Sequence, residues 1–170
     1  MLKKNFKAFH PAKSNFSKEE IQEFILEDSI NIVLVNGKFH EELSDNFSAE
    51  SGIQIYSIEN TPAHLGDNYF TAKKNIETDY FEALNNAFCG RGICIEVVKE
   101  YSVSKPLHVL HLNASEQSSI VSARNLIILR ENSKLQLFET FVQNGNESIF
   151  NPILSVSSPA AIDTGKQTIY

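Results

Sequence analysis

The sequence predicts a mainly β protein in which a small α+β region, residues 1–90, precedes an all-strand half, residues 91–170. Three observations carry this. Ser17-Lys18-Glu19-Glu20 has the form of a capping box, in which Ser17 and Glu20 satisfy each other's backbone amides, so a helix starts there. Asn36-Gly37 lies between an apolar run and Lys38-Phe39, and this dipeptide takes the positive φ angles of a two-residue hairpin turn. After Arg91-Gly92, β-branched and apolar residues gather in short runs separated by polar turns.

Phe16 before the cap and Ile21 beyond it suit a hydrophobic staple, and Ile21, Phe24, Ile25 and Asp28 keep helical spacing, so the helix packs an apolar side against a neighbour. Residues 31–35 form the first hairpin strand. Residues 53–58 alternate with period two before the Thr61-Pro62 break. From Thr78 the spacing of Tyr80, Phe81, Leu84, Ala87 and Phe88 predicts a second helix, stopped near Cys89 by Gly90. Strand runs follow at 93–98, 107–112, 126–129, 135–142, 153–156 and 160–170, with no helix among them. Their uneven spacing suits a sandwich, a barrel or an irregular solenoid equally.

Composition narrows the function classes. With 170 residues and 42% hydrophobic content, the chain suits one core with room for an appended subdomain. The net charge is −6 and no dense Lys/Arg block occurs, which argues against nucleic acid and anionic membrane as partners. Residues 1–11 have no apolar stretch of the signal-peptide kind and no run of about 18 apolar residues occurs, so a soluble cytoplasmic protein is expected. Cys89 and Cys94 are too few for a disulfide framework and fit no familiar zinc spacing; free thiols in a reducing compartment are expected. Phosphate-loop, nucleophile-elbow, zincin and dinucleotide motifs are missing, so no ATPase activity is expected of the chain.

Four segments, taken in order, resemble the SufD-like members of the SufB/SufD family of iron–sulfur cluster assembly scaffolds. Residues 31–39 with Glu42-Leu43-Ser44 are similar to the family's N-terminal hairpin. Residues 81–88, FEALNNAF, resemble its F-x-x-L-N-x-A-F helix, which leads through a glycine to a strand, here 92–97. Residues 105–111, KPLHVLH, resemble its K/R-P-I/L-x-L-x-H strand. Residues 123–129, with Leu137-Phe138-Glu139, resemble its P-R-x-x-I-x-x-G segment and the strand after it, although Ala123 replaces the proline and Arg130-Glu131 the glycine.

The resemblance implies that residues 91–170 open a right-handed parallel β-helix. It also implies a non-catalytic scaffold that pairs with a SufB-like subunit and a SufC-like ATPase, the nascent iron–sulfur cluster being cargo of the full complex and no cofactor being held by these residues. Gly165-Lys166-Gln167 resembles a mid-solenoid strand, so the remaining rungs and a C-terminal helical region are expected beyond Tyr170. Self-association through the uncapped end is the expected consequence.

No residue is assigned a catalytic, cofactor or metal role. His108, His111 and Glu139 could form the metal site of a cupin-like enzyme, the rival reading, with a solenoid binding module as a third. On an extended strand, however, residues three apart face opposite sides, so the two histidines are expected at a surface or interface. Cys94 shares a face with Glu96 and is expected to point outward, and two cysteines are too few for a cluster without a partner chain. Arg124 and Glu139 are expected to cap turns or pair across strands rather than form a catalytic pair. The run 126–129 is expected to be core.

Overall fold

A computed structural model describes residues 7–8, 16–48, 50–65, 80, 83, 85, 87, 90–115, 119–145 and 149–157. They are mainly strand, arranged in two mixed sheets with few helical turns. None of the described helices is long and apolar enough to cross a membrane.

The capping box closes as predicted, with the Ser17 amide donating to Glu20 Oε2 at 2.8 Å and the Glu20 amide to Ser17 Oγ at 3.3 Å. The helix itself is shorter than its spacing suggests: α1 spans Lys18–Ile21, a 3-10 turn follows over Gln22–Phe24, and Ile25 is extended. The cause is a side chain distant from the helix. The Leu26 amide donates to Asn31 Oδ1 at 3.0 Å, and the Leu26 carbonyl accepts from Asn31 Nδ2 at 3.1 Å, which diverts the chain from the next helical turn. Asp28 then turns at φ +55°.

Strand β2 (Ile30–Val35) joins β3 (Lys38–Phe39) through Asn36 and Gly37, with φ angles of +51° and +77°, the paired left-handed residues of a type I′ turn. Strand β4 (Ile53–Ser57) lies where the alternating run predicts. Of the second predicted helix, Tyr80, Ala83, Asn85 and Ala87 are described and helical. Its remainder, Cys89 and the run 160–170 lie outside the described residues.

Beyond Gly92 come β5 (Ile93–Val97), β6 (Leu107–Ser115), β7 (Ser119–Leu129), β8 (Leu137–Gly145) and β9 (Ile149–Ser157). Successive strands alternate between sheets. One sheet runs β3-β2-β6-β8; the other contains β4, β5, β7 and β9, with β1 (Lys7–Ala8) beside the start of β7. The pairs β2/β6, β6/β8, β5/β7 and β7/β9 are parallel, whereas β2/β3 and β4/β5 are antiparallel. From β7 onward each strand therefore lies beside the one two places earlier, about 30 residues back in the chain.

The corners stack as well as the strands. Val97 pairs with Leu129, and beyond them Glu100 and Asn132 both adopt left-handed backbone, at φ +60° and +54°. The Glu100 amide donates to the Glu131 carbonyl at 2.8 Å, and the Lys134 amide to the Tyr101 carbonyl at 2.9 Å. Left-handed backbone costs a non-glycine residue roughly 1–2 kcal/mol, and glutamate has no special tolerance for it. Glu100→Gly is accordingly expected to raise stability by about 0.5–1 kcal/mol, measured as a shift of the urea midpoint at constant slope.

Three apolar layers result. Ile32 and Leu34 of β2, Ile93 and Ile95 of β5, Val109 of β6 and Ile127 of β7 fill the space between the sheets. Val33, Val35, Leu110 and Leu112 face outward from the first sheet and are covered by Ile21, with Phe16 and Phe24 beside them, so the predicted staple residues join one cluster. On the outside of the second sheet, Leu65 covers Cys94, Leu126 and Ile128.

Candidate functional site

The histidines predicted for β6 separate as strand alternation requires, but both are buried, at 2% and 1% exposure for His108 and His111. This corrects the expectation of histidines at a surface or interface. Both faces of β6 are covered, one by the opposing sheet and one by the segment around α1.

His108 faces outward beneath that segment. Its Nδ1 lies 2.8 Å from Asn31 Oδ1 and its Nε2 2.8 Å from Thr140 Oγ1. Asn31 Nδ2 donates to the Leu26 carbonyl at 3.1 Å and to Asp45 Oδ2 at 2.9 Å, while Asn31 Oδ1 accepts from the Leu26 amide. These contacts fix which end of the amide is oxygen. Asn31 Oδ1 can only accept, so His108 carries its proton on Nδ1 and presents a bare Nε2 to the Thr140 hydroxyl.

Burial, and secondarily His111, hold the His108 pKa below its usual 6.5. As pH falls, the unfolded chain therefore takes up the proton first. Stability from this residue is complete above about pH 6.5 and is lost as pH falls toward the depressed folded value. His108→Gln is expected to flatten the acid limb of a plot of unfolding free energy against pH.

His111 points into the space between the sheets, where Nε2 lies 3.0 Å from Glu139 Oε1 and the ring stacks on Phe141 at 4.4 Å with an 11° interplanar angle. Glu139 is itself buried. Arg124, expected like Glu139 to cap a turn or pair across strands rather than join it in a catalytic pair, is on β7 in the other sheet, and by strand alternation it faces away from the interior that Ile127 lines. His108, His111 and Glu139 therefore do not converge. Among the described residues no group of three His, Cys, Asp or Glu side chains is placed to hold a metal ion.

Cys94 does lie on the outer face with Glu96, but it is not exposed, because Tyr56 and Leu65 close over it. Burial, and then the carboxylate of Glu96, push its pKa up to about 11. At neutral pH it is a thiol. A neutral alkylating reagent should modify the Cys94 peptide only after the chain is unfolded, as read by peptide mass mapping. Glu96 itself accepts from Arg130 Nε at 2.6 Å.

Sequence reasoning missed Asn31, Asp45 and Thr140. Asn31 carried a legible signal, a lone amide between Ile30 and Ile32 in an otherwise apolar strand. Compared with models of known protein families and with curated proteins, the chain matches none.

Proposed function

We propose that the chain is the N-terminal region and first rungs of a SufD-like scaffold for iron–sulfur cluster assembly, with residues 91–170 opening a right-handed parallel β-helix. One observation carries the reading. From β5 to β9 the chain changes sheet at every strand, and from β7 on each strand runs parallel to the one two places before it, which is how a coil of stacked rungs is built. The stacked corners at Glu100 and Asn132 support it. The family-like segments 31–39, 105–111 and 123–129 fall on β2/β3, β6 and β7.

The role follows from stiffness. Strands hydrogen-bonded along the stack hold a long surface at fixed separations, which suits a subunit that keeps a SufB-like partner and a SufC-like ATPase in place while a nascent cluster is built and passed on. The chain itself is non-catalytic in that reaction and cytoplasmic, and the cluster is cargo. The cupin-like rival is disfavoured because its three presumptive ligands face two different sides of a sheet.

The test is purification of the protein from its own host, tagged at its native locus. A SufB-like subunit and a SufC-like ATPase in fixed ratio are expected, with reduced activity of iron–sulfur enzymes when the gene is silenced. Recovery of neither partner, with those enzymes unaffected by silencing, overturns the reading.

A further inference from the structure

Thr140, His108 and Asn31 stand in the order nucleophile, base and orienting group. The Thr140 hydroxyl is 2.8 Å from His108 Nε2, and His108 Nδ1 is 2.8 Å from Asn31 Oδ1. The three come from three adjacent parallel strands, β2, β6 and β8. The first two rows are in register, Asn31 opposite His108. Thr140 pairs with Leu110, two residues further along β6 on the same face, so its hydroxyl reaches diagonally to the imidazole.

The histidine cannot turn its other tautomer toward Thr140. That would leave two acceptors, Nδ1 and Asn31 Oδ1, facing each other at 2.8 Å, and Asn31 cannot flip because Asp45 and the two backbone groups of Leu26 hold it. His108 and Asn31 are buried while Thr140, on β8, is partly exposed. The base is thus sheltered from water, while the residue that bears the hydroxyl is half-buried. The surroundings are apolar: Leu110, Leu112 and Val142 share the face.

We propose that Thr140 is an acyl-acceptor site, its hydroxyl activated by His108 as general base, for activated esters with small apolar acyl groups. In the step, Thr140 Oγ1 bonds to the acyl carbon while its proton passes to His108 Nε2. The ester's carbon–oxygen bond breaks, and the leaving alkoxide or phenoxide takes that proton. The product is a threonine ester and the released alcohol or phenol, with no change of oxidation state. The site stands apart from the scaffold reading, and either can fail without the other.

The experiment uses the full chain and p-nitrophenyl acetate, with acetylated residues located and timed by peptide mass spectrometry. Thr140 is expected to acquire one acetyl group roughly 10²-fold faster in the native chain than in the same chain unfolded in urea. Thr140→Ser should keep the reaction and Thr140→Val abolish it at that peptide. His108→Gln, confirmed folded by a cooperative melt, should slow acetylation of Thr140 by a similar factor. Equal rates in native and urea-unfolded chain overturn the proposal, whatever the variants do, as does undiminished Thr140 acetylation in a folded His108→Gln chain.

Discussion

Gly92→Ala is expected to be the most damaging single substitution in the chain, costing more than about 4 kcal/mol and leaving little or no folded protein. Gly92 sits at φ +131°, a conformation an alanine enters only with strain, and a Cβ there would lie 1.9 Å from the Arg124 carbonyl oxygen. Neither backbone can move aside. The Arg124 amide donates to the Arg91 carbonyl at 2.8 Å and the Ile58 amide to the Gly92 carbonyl at 3.0 Å, so one glycine is the crossing point of three chain segments. The measurement is circular dichroism with urea titration; a cooperative transition within about 1 kcal/mol of the parent's would contradict the account.

Glu139→Leu is expected to come second, at roughly 3–5 kcal/mol, because it strands the buried His111 imidazole without its carboxylate. The comparison that matters is the double variant. His111→Leu with Glu139→Leu removes both polar groups, replaces them with apolar ones of similar bulk and should recover most of the loss. A double-mutant cycle measured by urea unfolding should therefore give a coupling of several kcal/mol. If the two single effects simply add, the contact at 3.0 Å is not holding the interior together.

What could be read from the sequence was local. The hairpin at Asn36-Gly37 and the capping box at Ser17 are set by short-range backbone chemistry, and both form as their residues dictate. The end of α1 was illegible because it is decided by Asn31, a side chain from the next strand. Strand lengths were under-read for a related reason. Polar residues 113–115 and 143–145 look like turns, yet they continue β6 and its neighbour β8 because Asn113 pairs with Gln143 and Ala114 with Asn144 in one ladder. Backbone pairing between neighbours overrides the propensity of the residues concerned.

The same division runs through the candidate site. That His108 and His111 face opposite ways followed from alternation alone. That both are buried did not, because the groups enclosing them come from far along the chain, Asn31 from 77 residues away. The repeat by which each strand from β7 on pairs with the one two places earlier was hidden too. Its equivalent corner positions are Glu100 in one turn and Asn132 in the next, alike in backbone and unlike in chemistry.

The antiparallel strands β3 and β4 give the stack a direction. Each flanks the first parallel member of its sheet, β2 in one and β5 in the other, and each runs against it. Among the described residues, a strand laid against β3 or β4 in the sense of β2 or β5 would meet an antiparallel neighbour, whereas one laid in that sense against β8 or β9 would meet a parallel one. The two sides of each sheet thus differ in the strand direction they would accept, and the hairpin at Asn36-Gly37 lies on the side that opposes a parallel addition.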